Sequence, residues 1–398
     1  MTLTLSDTPD TGDCIAALDR LVGFDTTSRN SNLELINDVR QCLMNIGVES
    51  RLTFNEDKSK ANLWATIGPK DKGGIVLSGH TDVVPVDGQD WSSDPFALSE
   101  RNGRLFGRGT SDMKGFVACV LAHAKRMANS DLTIPFHFAF SYDEEVGCTG
   151  VKGLVDDMEK NLPPPIAVIV GEPTSMQLIG GHKGGNGYLT EVIGIDGHSS
   201  LPDLGANAIF AASKIVVFLQ QMQERLKADG NPDSGFSPYY TTVDCGLISG
   251  GTAGNIIPAY CAVNWGFRNV PGDDPHALAQ EVFDFAKNEI EPELKAVSQE
   301  AGIRHTTKFN VPGLIPDESS HAEALIRHLT GLNHSGRVSY GTEAGHFQRA
   351  GVPGVIFGPG SIEQAHLPDE YIDVTQIAEC NDFLHTLTDW AVSGEPFG

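Results

Sequence analysis

His80 and Asp82 stand two residues apart just after the apolar run Gly74-Ile75-Val76-Leu77-Ser78. A glycine-bounded, β-branched run of this kind is a buried strand, so His80 falls near its carboxyl end, where open α/β sheets place ligands. A carboxylate close to a histidine can hold one ring nitrogen and leave the other free for a metal. Taken alone, such a pair is ordinary. Its weight depends on further ligands, and four more stretches supply them. Asp112, in Gly107-Arg108-Gly109-Thr110-Ser111-Asp112-Met113-Lys114-Gly115, precedes a predicted helix and could equally serve as an N-cap. Asp143, Glu144 and Glu145 follow the strand Phe136–Phe140; three adjacent acids repel one another unless a cation neutralises them or water solvates them. Glu172 follows the buried run Ala167–Val170, and His366 lies in a late loop.

Together these stretches offer histidine nitrogens and carboxylate oxygens without thiolates. That donor set suits zinc, and also cobalt or manganese. It exceeds what one catalytic zinc needs, and one carboxylate can bridge two ions in a co-catalytic pair. Other chemistries fail on spacing. Gly107 and Gly109 lack the third glycine of a dinucleotide fingerprint, the glycine-rich stretch 250–255 has no Walker lysine, and no G-x-S-x-G elbow occurs.

The elements that must position these groups read as an α/β sheet, with helices over 15–24, 33–46 and 116–127 between strands at 63–67, 75–78, 136–140 and 167–170. From about residue 183 the order changes to β-α-β-β-α-β, with strands at 188–195, 241–248, 260–267 and 304–309 and helices over 206–226 and 276–301. That is the order of a two-layer α+β domain. α/β character returns after about 313, with a helix over 320–332, a strand at 352–357 and a last helix over 377–392. The expected organisation is a metal-binding catalytic domain of residues 1–182 and 311–398, interrupted by a smaller domain of residues 183–310.

With 28 basic and 52 acidic residues among 398, the net charge is −24. A chain this acidic repels phosphate backbones, so a nucleic-acid partner is not expected. Seven cysteines show no C-x-x-C pairing, which favours free thiols in a reducing compartment. The amino terminus lacks the basic and apolar regions of a signal peptide, and no apolar run is long enough for a membrane span. A cytoplasmic protein is expected.

The stretches GHTDVVPV (79–86), GRGTSDMKG (107–115), DEEVG (143–147), GEPT (171–174) and AHLPDEYI (365–372) resemble those of the acetylornithine deacetylase, succinyl-diaminopimelate desuccinylase and aminoacylase family of co-catalytic zinc hydrolases. The resemblance runs from about residue 15 to residue 392, in order and spacing. It implies a zinc-hydrolase domain, a mixed sheet flanked by helices, with the inserted domain serving as dimerisation lid. It implies two zinc ions per subunit, with cobalt as a substitute: His80 and Glu172 on one, Glu145 and His366 on the other, Asp112 between them. Asp82 resembles the partner that orients His80, and Glu144 the general base. In the insert, His198 resembles a histidine that steadies the tetrahedral intermediate across a homodimer interface. Asn255 and Arg268 resemble substrate-carboxylate contacts; a guanidinium pairs well with an α-carboxylate.

Gly341-Thr342-Glu343-Ala344-Gly345-His346-Phe347 resembles the deacetylases more than the desuccinylases. Glu343 would then lie near the pocket and suit a substrate ending in an amine. The implied reaction is removal of the acetyl group from N2-acetyl-L-ornithine, a step of arginine biosynthesis. Other N-acyl-amino-acid amidohydrolases, a desuccinylase or a dipeptidase stand as alternatives within the family, and a catalytically silent metal-binding protein on the same scaffold as an alternative of a different class.

Overall fold

The computed structural model describes residues 3–396. The chain divides into two compact units. One holds residues 3–181, 314–337 and 342–396 of the described chain, the other 182–313 and 338–341.

The larger unit is built on an eight-stranded mixed sheet. Its strand order is Ser50–Phe54, Ala61–Ile67, Phe136–Ser141, Ile75–His80, Ala167–Val170, Gly354–Ile356, Ile179–His182, Gly336–Val338. The four strands from Phe136–Ser141 to Gly354–Ile356 run parallel. Every residue of those four strands is buried. Parallel strands are covered on both faces, which is why they read as unbroken apolar runs rather than as alternating ones. Helices Thr11–Val22, Lys114–Ala128 and Val374–Ser393 pack on one another in one layer, and Val151–Asn161 with Ala344–Arg349 in a second. Leu18, Leu21, Phe116, Val120, Leu384 and Leu387 belong to one apolar core with strand residues Leu77 and Phe138.

The smaller unit carries a four-stranded antiparallel sheet in the order Thr242–Gly250, Tyr260–Arg268, Gly185–Ile193, Gly302–Val311. Along Tyr260–Arg268 burial alternates: Cys261, Val263, Trp265 and Phe267 are buried while the residues between them are more exposed. The buried face packs on helices Ala208–Asp229 and Pro275–Phe285 in a second core.

The structure differs from the sequence reading in several places. The helix expected over 276–301 is Pro275–Phe285, a π-helical turn Ala286–Ile290, and Glu291–Val297. Pro292 has no N–H to donate to the preceding turn, which suits a change of helical register there. Residues 182, 311–313 and 338–341, expected in the larger unit, group with the smaller one. The short strands Ser50–Phe54, Ser99–Arg101, Arg104–Phe106 and Tyr371–Asp373 and helix Val151–Asn161 have no counterpart in that reading. All seven cysteines are free. Among the described residues no helix is long and apolar enough to cross a membrane.

Candidate metal centre

Three neighbouring parallel strands end side by side. In their registers His80 pairs with Ser141 and Ser78 with Val170. The acids Asp143, Glu144 and Glu145, two to four residues past Ser141, and Glu172, two past Val170, therefore emerge beside His80. Asp112 joins them from the residues leading into helix Lys114–Ala128. His366 comes from the loop after strand Gly354–Ile356, in a left-handed conformation with φ 65°.

Two donor groups result, His80, Asp112 and Glu172 in one and Asp112, Glu145 and His366 in the other. In each group, one atom from every residue lies within 4.8 Å of the rest. Asp112 serves both with different oxygens. Its Oδ1 is 3.0 Å from His80 Nε2 and its Oδ2 3.4 Å from His366 Nε2. Glu172 Oε1 stands 3.8 Å from His80 Nε2, and Glu145 Oε2 3.0 Å from His366 Nε2.

The proton on His80 is assigned by its partner. Nδ1 lies 2.8 Å from the main-chain carbonyl of Asp82, which can only accept, so Nδ1 carries the hydrogen. In the neutral ring Nε2 then directs a lone pair at the Asp112 carboxylate. That arrangement requires a proton or a cation between nitrogen and oxygen. The sequence reading gave the orienting role to the Asp82 carboxylate, and the geometry corrects it. The nearest carboxylate oxygen is 3.7 Å from Nδ1, and the carboxylate is engaged elsewhere. Its Oδ1 accepts from the Glu144 N–H at 3.1 Å; its Oδ2 accepts from the Glu145 N–H at 3.3 Å and from Ser28 Oγ at 2.7 Å. Asp82 thus orients His80 with its carbonyl and pins the acid loop with its side chain. Lys60 Nζ adds an ion pair to Asp143 at 2.5 Å.

In the absence of a cation, burial and mutual repulsion raise the pKa values of the glutamates, while His366 and His80 overcome burial and lower that of Asp112. Glu144 is pushed up to about 8 by burial and, with His80 opposing, by the charges of Glu145, Glu343 and Asp112. Glu145 is pushed up to about 7 by burial and Asp112, and Glu172 rises well above the carboxylate range for the same two reasons. Burial disfavours charge on His80, but Asp112, Glu172 and Glu144 outweigh it and raise its pKa. Asp112 and Glu145 raise His366 to about 10. Glu145 Oε1 is buried without a hydrogen-bond partner among the described residues. Buried like charges and an orphaned oxygen are costly unless a positive ion joins them. The residues present therefore fit a metal ion, and their nitrogen and oxygen donors fit the ions expected from sequence.

Glu343 is also buried here, at the start of helix Ala344–Arg349, with Oε2 accepting from Ser78 Oγ at 3.3 Å and Oε1 without a hydrogen-bond partner among the described residues. It is 1% exposed, so its carboxylate faces protein rather than open solvent. Burial pushes its pKa up to about 7.

His198, Asn255 and Arg268 belong to the smaller unit. The first two are neighbours: His198 pairs with Ile256 in a two-residue ribbon, and the Ser199 N–H donates to the Asn255 carbonyl at 3.1 Å. The Ser200 N–H donates to His198 Nδ1 at 3.2 Å, so a neutral His198 bears its proton on Nε2. His198 and Asn255 are exposed, as is Arg268 at the end of its strand.

One buried pair was not singled out from sequence. Arg108 and Glu370, each 1% exposed, meet at 2.5 Å. Glu370 Oε1 accepts from the N–H groups of Ser111 at 2.9 Å and Asp112 at 3.1 Å. Arg108 donates to Gln89 Oε1 at 2.6 Å, and Gln89 Nε2 donates to the His366 carbonyl at 2.8 Å. The pair ties the loop of one metal-ligand candidate to that of another. Both residues lie inside motifs quoted above, but 262 positions separate them and nothing local marks the contact. A cavity of the larger unit, about 570 Å³ and lined by Arg40, Arg51, Trp64 and Lys70 among others, includes none of the candidate ligands.

Known proteins resemble this chain in sequence and in fold. An acetylornithine deacetylase of Proteus mirabilis is 35% identical over 364 residues, covering 91% of this chain and 91% of the relative. One of Myxococcus xanthus is 35% identical over 381 residues, covering 93% and 95%. Among solved structures, an M20-family metallo-carboxypeptidase of Sulfolobus solfataricus shares the fold with a TM-score of 0.73 at 18% identity, covering 96% of this chain and 99% of that one. A dinuclear metal-binding M20 peptidase of Bacillus subtilis gives a TM-score of 0.63 at 14% identity, with 96% and 99% covered. The model of peptidase family M20/M25/M40 matches residues 76–389, a span that takes in every candidate metal ligand, and to that family the chain belongs.

Proposed function

We propose that this chain is a zinc-dependent amide hydrolase that converts N2-acetyl-L-ornithine to L-ornithine and acetate. The observation that carries the reading is Asp112, whose two oxygens face two separate histidine–carboxylate groups with Glu144 beside them. The identity to acetylornithine deacetylases supports the substrate. His80 and Glu172 would hold one zinc ion, Glu145 and His366 a second, and Asp112 both; cobalt suits the same donors. Bound ions would polarise the scissile carbonyl and lower the pKa of water.

Glu144 takes the proton of the attacking water and later delivers it to the departing amine nitrogen. Asp82 holds the main chain of Glu144 and Glu145 and so sets where their carboxylates stand. His198, protonated on Nε2, donates to the oxyanion. Arg268 and Asn255 bind the substrate α-carboxylate, and Glu343 supplies negative charge suited to the substrate's amine end.

The same reading makes the protein a homodimer through its smaller unit, with His198 acting in the partner's site. Phe210 is 70% exposed, Leu204 68% and Leu247 60%. Thr242–Gly250 is an edge strand, and such an edge templates pairing with a second chain.

The test is hydrolysis of a panel of N-acetyl, N-succinyl and dipeptide substrates, with and without chelator. N2-acetyl-L-ornithine should be preferred, and activity should vanish on chelation and return with zinc or cobalt. Dipeptide hydrolysis without acetylornithine hydrolysis would overturn the substrate assignment, and full activity in metal-free protein would overturn the reading as a whole.

A further inference from the structure

The acid loop winds tightly beyond its two glutamates. The N–H groups of Gly147 and Cys148 both donate to the Glu144 carbonyl, at 2.9 and 2.8 Å. Asp143 and Cys148 are left-handed, with φ 56° and 53°. For side chains other than glycine that region is sparsely used, and it is kept where the surroundings enforce it. The turn carries the Cys148 side chain back toward Glu144. Its Sγ lies 3.2 Å from Glu144 Oε1 and donates to it, and Cys148 itself is only 3% exposed. Among the described residues no other hydrogen bond reaches the Glu144 side chain.

We propose that Cys148 is a positioning residue for Glu144: its thiol holds Oε1 and leaves Oε2 as the oxygen that exchanges protons with water and the leaving amine. A glutamate has three side-chain torsions, the last of them broad, so a carboxylate tied only through its backbone samples many orientations. One donor on one oxygen fixes the plane of the group. A thiol does this weakly, because sulfur is a poor donor, and so fixes direction without neutralising the base. The chain holds Glu144 at both ends: Asp82 grips its main chain and Cys148 its side chain. No cofactor or covalent step is involved, and Cys148 belongs to neither candidate metal-ligand group.

This inference rests on Glu144 being the base. Kinetics with N2-acetyl-L-ornithine, metal content and the thermal midpoint are measured for wild type, Cys148→Ala, Cys148→Ser, Glu144→Ala and the Cys148→Ala/Glu144→Ala double variant. Misaligning a reacting group by a fraction of an ångström to an ångström costs roughly 10- to 100-fold. Cys148→Ala should lower kcat by about that factor, leaving KM and metal content unchanged. Cys148→Ser restores a donor and should recover most of the rate. In the Glu144→Ala background, loss of the thiol should have no further effect, because nothing is left to position. If Cys148→Ala does not fold, Cys148→Gly removes the donor and suits the left-handed backbone at that position. The inference is overturned by an unchanged kcat in the donor-free variant, by equal losses in Ser and Ala, or by an undiminished effect in the Glu144→Ala background. A wild type without amidohydrolase activity would instead overturn the underlying assignment.

Discussion

In the larger unit most candidate site residues are buried, charge against charge; in the smaller they stand at the surface. His80, Asp112 and Glu172 are each at most 5% exposed, and every one has another ionisable group within 4 Å. His198, Asn255 and Arg268 are exposed, and the polar neighbours recorded at His198 belong to its own loop. The contrast follows from what each group is asked to do. Donors for a cation gain from being desolvated and fixed before the ion arrives, since electrostatic interactions gain most where water is excluded, and of the five candidates only His366 is exposed. Parallel strands, covered on both faces, supply such a place where they end. Groups that meet a substrate or a second chain must stay accessible, and a sheet with one open face supplies that.

The sharpest way to break this comparison is inside the acid pair. Glu144→Ala should keep its metal and lose about 10²–10⁴ in turnover, the usual worth of general-base work. Glu145→Ala should lose metal, because it removes the carboxylate 3.0 Å from His366 Nε2. Metal analysis alongside kinetics separates the two. The opposite pattern would exchange the assignments of adjacent residues that differ in sequence only by one position.

The next largest effect belongs to the smaller unit. His198→Ala should lower kcat by roughly 10²–10³, the typical loss of one oxyanion donor, with metal content intact. Mixing that variant with Glu144→Ala should restore activity in mixed dimers if the histidine acts in trans. Normal turnover in His198→Ala would leave the smaller unit without a chemical role and the comparison one-sided.

The contrast also explains what could be read from the sequence. Each buried ligand follows an apolar run or opens a helix, so residue type and position together marked His80, Asp112, Glu145 and Glu172. Exposed groups have no such frame, and His198 and Arg268 entered only through resemblance. Asp82 shows the limit of spacing. Two residues from a histidine, either its carbonyl or its carboxylate can reach the ring, and the Glu144 and Glu145 N–H groups claim the carboxylate. The Arg108–Glu370 pair stayed hidden because it joins loops far apart in sequence. The broken helix after Phe285 was misread because its apolar spacing continues through a π turn. Residues 338–341 look like part of the returning α/β segment, and only tertiary packing assigns them to the smaller unit.

Buried histidines away from the metal centre sharpen the comparison further. In the larger unit burial lowers His137 and His346 to about 4 and His123 to about 3. In the smaller unit burial lowers His305, also to about 4. An unfolded histidine takes its proton near pH 6.5. Between that pH and about 4 the unfolded chain therefore binds more protons than the native one, and stability falls as pH falls. The contribution is fully present above pH 6.5 and is lost through the window down to about 4. For His137, which is fully buried with Thr66 Oγ1 on Nδ1 at 2.9 Å and, among the described residues, no partner on Nε2, the full effect is on the order of 3 kcal/mol. The raised carboxyl groups of the metal-free centre act the other way, because there the native state binds the extra protons. The contribution of His137 is therefore read by difference. Hydrogen exchange resolved by peptide is measured at pH 7 and pH 5 in wild type and His137→Gln, with strand Tyr260–Arg268 as reference. From pH 7 to pH 5, strand Phe136–Ser141 should lose more protection in wild type than in His137→Gln, while the reference strand responds alike in both. An identical pH response of Phe136–Ser141 in the two proteins would mean that His137 does not contribute to the acid response of this fold.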